Sequence, residues 1–425
     1  MSGHGSKSVL PWGVISMPGG PESCYPSAHT NLKDPMITLT IKRGRAKPLW
    51  YGHPWVYSQA VEGERDDYEP GDVVEVRDSE GRYIGRGFAN PRSKIRVRIV
   101  TRRDEAVDAA LLRARVAEAV ALRAKLGLPS AETSCYRLIN SEGDGLPGVV
   151  VDVYGDAVCV QFTALGMKRM AQELFDALEA ELHPKTIYQA SAGGFAALEG
   201  FSAEPCVVRG ESRSSVPCVE NGVKLEIEPL SGQKTGAFLD QRENRARIGS
   251  LARGAKVLDC YCYVGGFALA AARGGAASVT GVDVSARALE KARAHAELNG
   301  ALPFELVEAD VFRYLEGARA RSYDLVLVDP PKFARAQKDL EAALKGYRRL
   351  NALALATCKE GALYATSSCS QLVDMAEFER MLAGAAQDAG RRVTVLHGAS
   401  QGPDHPVPPG FPEGRYLKFV LCRVS

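Results

Sequence analysis

The sequence predicts a multidomain α/β protein with a small N-terminal β-barrel, a small central α/β domain and a C-terminal domain built on a parallel sheet. The chain has 425 residues, which suggests roughly three domains at about 150 residues each. Short strand signals alternate with turns over residues 36–103, as in small barrels. From residue 256 onward strands alternate with helices, which is typical of a parallel sheet.

The composition is that of an ordinary globular protein. Hydrophobic residues make up 45% of the chain and charged residues 24%, which excludes wholesale disorder and collagen-like fibres. No stretch has the ~20 unbroken apolar residues that a membrane helix needs. The N-terminal residues lack the charged-then-apolar pattern of a secretory signal. We therefore expect a cytoplasmic location and no membrane partner.

The ten cysteines do not predict a metal site or a disulfide framework. None forms a CxxC pair, and the closest spacing is Cys260-Tyr-Cys262, which matches neither a zinc ribbon nor a dense disulfide scaffold. We expect reduced cysteines that mostly fill the core, and no bound metal.

Residues 36–104 are predicted to form the barrel, and residues 1–35 to be a flexible extension rich in Pro and Gly. Within the barrel, Arg92, Lys94, Arg96 and Arg98 occupy every second position, which in a strand puts all four on one face. Residues 36–103 hold fourteen basic and nine acidic residues. The row is either a solvated strand face or a strip that contacts nucleic-acid phosphates.

Residues 105–220 are predicted to form a linker helix and the central α/β domain. Apolar residues recur at helical spacing between residues 104 and 126, which predicts an amphipathic helix. Strand and helix signals then alternate between residues 136 and 201 without an evident catalytic constellation. The predicted inward positions of the linker helix are Leu111, Leu112, Val116, Val120 and Leu122.

Four consecutive strands of the C-terminal domain, residues 221–425, carry a carboxylate at or near their carboxyl ends. These carboxylates are Asp259, Asp283, Asp310 and Asp329. Ligands bind at that edge of an open α/β sheet. A single aspartate there could equally be a helix cap, but four in register with a Gly-Gly turn favour a binding site.

The turn after the first of these strands favours S-adenosylmethionine (SAM) over a dinucleotide. Gly265-Gly266 is followed by Phe267, so the glycine fingerprint of pyrophosphate binding is missing. SAM has no phosphates and needs no such fingerprint. We predict that Asp283 binds its ribose, that Asp310 binds its adenine amino group, and that the turn with Tyr263 and Gly265 receives its amino-acid end.

A set of motifs makes the chain resemble the cytosine-5 methyltransferases of large-subunit ribosomal RNA. The resemblance covers residues 36–424 and implies a PUA barrel, a central α/β domain and a class I methyltransferase domain with a Rossmann-like sheet. One departure is the stretch Gln189-Ala-Ser-Ala-Gly-Gly194, where the family carries an arginine-bearing turn. The motifs lie at residues 45–59, 137–153, 231–242 (SGQKTGAFLDQR), 265–267 (GGF), 329–333 (DPPKF), 368–370 (SCS), 404–406 (DHP) and 412–418 (PEGRYLK).

The resemblance implies SAM as the cofactor and ribosomal RNA as the partner. It further implies that the stretch before the first strand lies over the cofactor, with Asp240 and Arg242 as contacts. Lys332, in the DPPKF motif, is a candidate RNA contact. The sequence leaves the oligomeric state open, a homodimer included.

Cytosine-5 chemistry requires a nucleophilic cysteine, and Cys369 is the candidate. Carbon 5 of cytosine is a poor nucleophile until a thiolate adds to carbon 6. Cys369 lies just after an apolar strand signal at residues 361–364, at the edge that also carries Asp329. Asp329 could bond ring nitrogen 3 and the exocyclic amine of the base.

Several alternatives stay open at this point. The base that removes the carbon-5 proton is not identified, and the candidates are Lys332, His405 and Lys418. A guanine N-methyltransferase would use Asp329 and Lys332 and ignore Cys369. A catalytically inactive RNA-binding assembly factor is the third reading.

Overall fold

The computed structural model describes residues 36–63, 67–191, 193–231, 235–300, 304–333 and 337–425. The predicted extension, residues 1–35, lies outside them. No helix in these ranges combines the length and the apolar character needed to cross a bilayer.

The N-terminal sheet curls into a barrel, as predicted. Its strand order is β1-β3-β4-β5-β2, and a bridge between Ile41 and Val61 joins its two ends. Ile41, Val74 and Val97 are fully buried inside it. The elements are β1 (Thr38–Thr40), α1 (Lys47–Trp50), β2 (Trp55–Tyr57), β3 (Val73–Arg77), β4 (Tyr83–Ala89) and β5 (Ile95–Thr101).

The central domain is a five-stranded sheet with the order β10-β9-β8-β7-β6, followed by a β-hairpin. The predicted domain boundary at residues 220 and 221 falls in the turn of that hairpin. Its elements are α2 (Ala109–Lys125), β6 (Cys135–Asn140), β7 (Val149–Tyr154), β8 (Ala157–Phe162), α3 (Leu165–Arg169), α4 (Ala171–Leu182), β9 (Thr186–Gln189), α5 (Gly194–Glu199) and β10 (Cys206–Gly210), and the hairpin is β11 (Val216–Glu220) with β12 (Val223–Ile227).

The linker helix differs from its prediction in length and in its inward face. It begins at Ala109, where the Asp108 side chain accepts a hydrogen bond from the Leu111 N–H, as N-cap residues do. Leu122 is 36% exposed, whereas Arg123 is buried. Arg123 forms an ion pair with Asp144 of the central domain, and this polar contact turns the arginine inward.

The C-terminal domain is a seven-stranded sheet with the order β15-β14-β13-β16-β17-β19-β18. Strands β13 to β17 are mutually parallel, whereas β19 is antiparallel to both of its neighbours. Its elements are α6 (Arg242–Leu251), β13 (Lys256–Cys260), α7 (Gly266–Arg273), β14 (Ser278–Asp283), α8 (Ala286–Leu298), β15 (Phe304–Glu308), α9 (Val311–Gly317), β16 (Tyr323–Val328), α10 (Leu340–Thr357), β17 (Cys358–Ser368), α11 (Met375–Asp388), β18 (Val393–Ala399) and β19 (Lys418–Val424).

The loop between β18 and β19 joins the central domain to the C-terminal domain at Asp404. The Asp404 carboxylate is fully buried and receives Nη1 of Arg242 at 2.6 Å, the backbone N–H of Arg137 at 3.0 Å and Nδ1 of His405 at 3.0 Å. Arg123 donates to its carbonyl oxygen at 2.7 Å. Arg123 and Arg137 belong to the central domain, so one residue of this loop anchors that domain.

The same loop contacts the barrel through Glu413. The Glu413 carboxylate lies 3.2 Å from Nε2 of His53 and accepts a hydrogen bond from the Tyr57 hydroxyl at 3.1 Å. The ring of Phe411 lies edge-on to Trp55 at 4.6 Å. Gln371, two residues beyond Cys369, donates to the Glu413 carbonyl at 3.2 Å. The barrel therefore connects to the segment that follows β17.

Candidate active site

Three of the predicted carboxylates meet at the carboxyl edge of the sheet. Asp259 lies in β13, Asp283 ends β14, and Asp329 follows β16, and both outer strands pair with β13 in parallel register. Asp259 and Asp283 are buried. Burial, followed by the charge of Asp329, raises the pKa of Asp259 to about 8. The edge is therefore a crowded acidic site.

The turn after β13 brings backbone against this carboxylate cluster. Tyr263 has a left-handed backbone with φ +51°, and its N–H donates to Asp283 at 3.0 Å. Gly265 has φ +86°, and a Cβ there would lie 3.2 Å from that of Ala292. This conformation and close packing explain the glycine immediately before α7. Tyr263, Gly265 and Asp283 thus come together as predicted from the sequence.

Asp310 performs the capping role that the sequence left open. It precedes α9, and its Oδ1 accepts a hydrogen bond from the Arg313 N–H at 3.0 Å. Its side chain is exposed beside the end of β15. Contact with an adenine amino group stays a prediction.

Asp240 and Arg242 lie before the first strand but differ in their surroundings. Asp240 is buried and accepts a hydrogen bond from the Tyr416 hydroxyl at 2.6 Å. Its charge contributes to the raised pKa of Asp329, so it belongs to the acidic edge. Arg242 is only 2% exposed and is held by Asp404, which favours a structural role over the predicted cofactor contact.

Asp329 is held in place by a residue that the sequence did not single out. Nε2 of Gln241 donates to Oδ1 of Asp329 and to Oγ of Ser367, both at 3.1 Å. Burial and the charge of Asp240 raise the pKa of Asp329 to about 6. Gln241 lies inside the 231–242 motif, which is the sequence feature that could have identified it as a site residue.

Cys369 lies at the same edge, just past the end of β17. The parallel register pairs Val328 with Thr366, so Asp329 and Cys369 both follow the end of that ladder. Of the nine cysteines in the described ranges, only Cys369 and Cys206 are partly exposed. The hydroxyl of Tyr347 lies 3.1 Å from that of Ser368, which makes the surroundings of the thiol polar.

The three candidate bases occupy different environments. His405 is fully buried against Asp404, which removes it from contact with a substrate. Lys332 is partly exposed. Lys418 is only 4% exposed, and its amine donates to the carbonyl oxygens of Ser370 and, at 2.7 Å, of Tyr416. The backbone of Lys418 pairs with that of Ser368, next to Cys369.

The predicted row of four cations is not a single exposed strip. Arg92 and Lys94 are exposed, but both precede β5 in a turn. Arg96 is half-buried and donates to the Pro91 carbonyl at 2.6 Å. Arg98 is buried and pairs with Glu142 at 3.0 Å and Glu199 at 3.6 Å. The row prediction was wrong for Arg98, because the central domain covers the later part of β5.

Asp259→Asn should change how stability depends on pH. The folded pKa of about 8 lies above the ordinary 3.8, so at intermediate pH the folded state holds a proton that the unfolded state releases. The free energy of unfolding therefore falls as pH rises, by up to ~1.4 kcal/mol per unit. The asparagine removes this loss, so urea denaturation should increasingly favour the variant between pH 5 and 8. A pH-independent difference would contradict the expectation.

Comparison with known proteins gives matches along most of the chain. A PUA-like domain family model matches residues 39–102, and an S-adenosylmethionine-dependent methyltransferase model matches residues 175–396. Proteins named ribosomal RNA large subunit methyltransferase I from Pseudoalteromonas atlantica and Photobacterium profundum are each 38% identical, over 91% of this chain and 99% of theirs.

Solved structures share the whole fold at lower identity. One is a methyltransferase complexed with SAH, with a TM-score of 0.80, 24% identity, and coverage of 91% of this chain and 100% of that chain. Another, described as a SAM-dependent methyltransferase from Streptococcus mutans, has a TM-score of 0.79 at the same identity and coverage. These likenesses show the three-domain architecture alone.

Proposed function

We propose that this chain methylates carbon 5 of a cytosine. The proposal starts from the family: the chain belongs to the SAM-dependent methyltransferases of large-subunit ribosomal RNA that carry a PUA-like domain. The substrate is ribosomal RNA, which implies a cytoplasmic location. The single observation that carries the cytosine assignment is the partly exposed thiol of Cys369 at the acidic edge of the sheet.

The acidic edge suits SAM because its charge is opposite to that of the cofactor. When bound, SAM supplies a methyl group on a positively charged sulfur. Asp240, Asp283 and Asp329 would offset that charge, whereas they would repel the phosphates of a dinucleotide. Tyr263, with Gly265, Asp283 and Asp310, would hold the amino-acid end, the ribose and the adenine.

Cys369 would act as the nucleophile in a reaction of four steps: addition, methyl transfer, proton removal and elimination. Its thiolate forms a bond to carbon 6, and the ring electrons shift toward carbon 5. Carbon 5 then takes the methyl group while the carbon–sulfur bond of the donor breaks. A base removes the carbon-5 proton, and the electron pair expels the thiolate. The cysteine leaves the reaction unchanged.

Asp329 would recognise the base and stabilise the adduct. Its carboxylate can accept hydrogen bonds from the exocyclic amine and from ring nitrogen 3 once that nitrogen is protonated. Uracil presents a carbonyl where cytosine has the amine, so an acceptor at this position disfavours uracil. Gln241 fixes the carboxylate by its 3.1 Å hydrogen bond, which supports this orienting role.

Asp283→Ala should weaken SAM binding about tenfold or more, because charge-assisted hydrogen bonds to the ribose are lost. Isothermal calorimetry measures the affinity. Asp324→Asn is the matched control, since Asp324 lies at the opposite edge of the sheet and pairs with Lys359 at 2.8 Å. Equal affinity in Asp283→Ala and wild type would remove Asp283 from the cofactor site.

Nucleoside mapping of ribosomal RNA tests the function as a whole. Digested RNA from strains with and without the gene is compared by mass spectrometry, with the gene restored on a plasmid as control. We expect loss of one 5-methylcytosine from large-subunit RNA. Loss of a methylguanine would instead support the amino-methyltransferase that Asp329-Pro-Pro-Lys332 also suits. No change in any nucleoside would favour an inactive assembly factor.

A further inference from the structure

Lys418 lies alongside the candidate nucleophile in the sheet. It opens β19, and its backbone pairs with Ser368 across the β17–β19 ladder. Its amine reaches the carbonyl oxygen of Ser370. The residue between these two contact points is Cys369, so the side chain of Lys418 runs beside it.

The charge of Lys418 is buried without a carboxylate at ion-pair distance in the described ranges. The residue is 4% exposed, and within the described ranges no ion pair joins its amine to a carboxylate. Buried charges are normally paired, because desolvation is costly. A lysine ammonium has three donors. Two of them bind the carbonyl oxygens of Ser370 and Tyr416, and the third is available to the adjacent sulfur.

We propose that the Lys418 ammonium is the counter-ion of the Cys369 thiolate and keeps this thiol ionised for attack on the base. Lys418 is thus a positioning residue that acts through Cys369. The role of the thiolate in methyl transfer rests on the proposed function, but its ionisation does not.

The electrostatic surroundings agree with this pairing. Burial lowers the pKa of Lys418 to about 8, and Cys369 is the largest influence that favours the charged amine. Asp374 acts in the same direction and Lys332 opposes it. Tyr347, whose pKa is raised by burial, is another titratable group near the thiol, and Asp329 in turn lies near Tyr347. A cation beside a thiol lowers its pKa, often by more than one unit.

The test follows the alkylation of Cys369 by iodoacetamide as a function of pH, without RNA or SAM, and quantifies the modified peptide by mass spectrometry. We expect Lys418→Met and Lys418→Gln to move the midpoint upward by about one pH unit or more, which slows alkylation about tenfold at pH 7. Glutamine keeps a donor for the carbonyl oxygens. Lys418→Arg keeps the charge and should keep the midpoint within about half a unit.

Lys359→Met is the matched control, because Lys359 lies at the opposite end of the β16–β17 ladder, where it pairs with Asp324 at 2.8 Å. Its alkylation profile should equal that of the wild type. Circular dichroism and thermal melting show whether each variant is folded. If one neutral variant does not fold, the other and the arginine variant provide the comparison.

An unchanged midpoint in folded Lys418→Met or Lys418→Gln would overturn the proposal. If such a variant also loses methyl transfer, Lys418 would be the proton-removing base instead. A shifted midpoint in an enzyme whose Cys369→Ala variant still methylates RNA would refute the proposed function and leave the ion pair standing.

Discussion

Cys369→Ala is expected to lower the rate of methyl transfer by about 10⁴-fold or more, because removal of a nucleophile eliminates the covalent route. The assay follows a labelled methyl group from SAM into ribosomal RNA. Since the thiol is partly exposed, the truncation leaves little cavity, and thermal melting shows whether the variant is folded. Affinity for SAM should stay within about twofold.

RNA that contains 5-fluorocytosine gives a second readout of the same step. Fluorine replaces the proton that the base removes, so the adduct cannot resolve. We expect a covalent protein–RNA complex with the wild type and SAM, and none with Cys369→Ala. Cys206→Ala is the matched control, because Cys206 is the other partly exposed cysteine and should trap normally. Full transfer by Cys369→Ala would refute the covalent mechanism.

Asp404→Ala is expected to cause the largest loss of stability, about 3–5 kcal/mol. Burial would raise the pKa of Asp404, but His405 and Arg242 hold it well below its usual range. Removing the carboxylate leaves the guanidinium of Arg242 buried and unpaired by this partner and deprives the Arg137 N–H of its acceptor. Urea denaturation measures the difference.

Asp388→Ala provides the comparison for this stability loss. Asp388 forms a two-pronged ion pair with Arg348, with both bonds at 2.6 Å, but both side chains are more than 40% exposed. Exposed pairs of this kind contribute less than about 1 kcal/mol. If Asp404→Ala loses no more stability than Asp388→Ala, Asp404 is not the anchor between the domains.

Features that depend on neighbouring residues were predictable from the sequence. Asp283 ends β14 (Ser278–Asp283), at the carboxyl end of a strand as predicted, and the next helix is capped by Ser285, whose side chain accepts a hydrogen bond from the Ala288 N–H. Hydrophobic runs and capping residues determine these elements locally. The carboxylates therefore reach the predicted edge, because the ends of parallel strands meet there.

Features that depend on distant residues were not predictable in the same way. Arg98 has the pattern of an exposed cation, but it pairs with Glu142, 44 residues away. Arg242 pairs with Asp404, 162 residues away. Such partners depend on how the domains pack against each other, and the spacing of residues along one strand or helix does not predict that packing. The sequence likewise named Lys418 as a candidate base but could not give its register opposite Ser368.

The reversed direction of β19 has a consequence for which parts of the chain can serve the reaction. Every parallel strand ends at the carboxyl edge of the sheet, where the site lies. Its first residue therefore lies at the opposite edge, some 15–20 Å away for a five- or six-residue strand. An antiparallel strand runs the other way, so its first residue lies at the edge where the parallel strands end. The antiparallel direction of β19 thus brings Lys418, seven residues before the last residue of the sequence, to the edge where the parallel strands end.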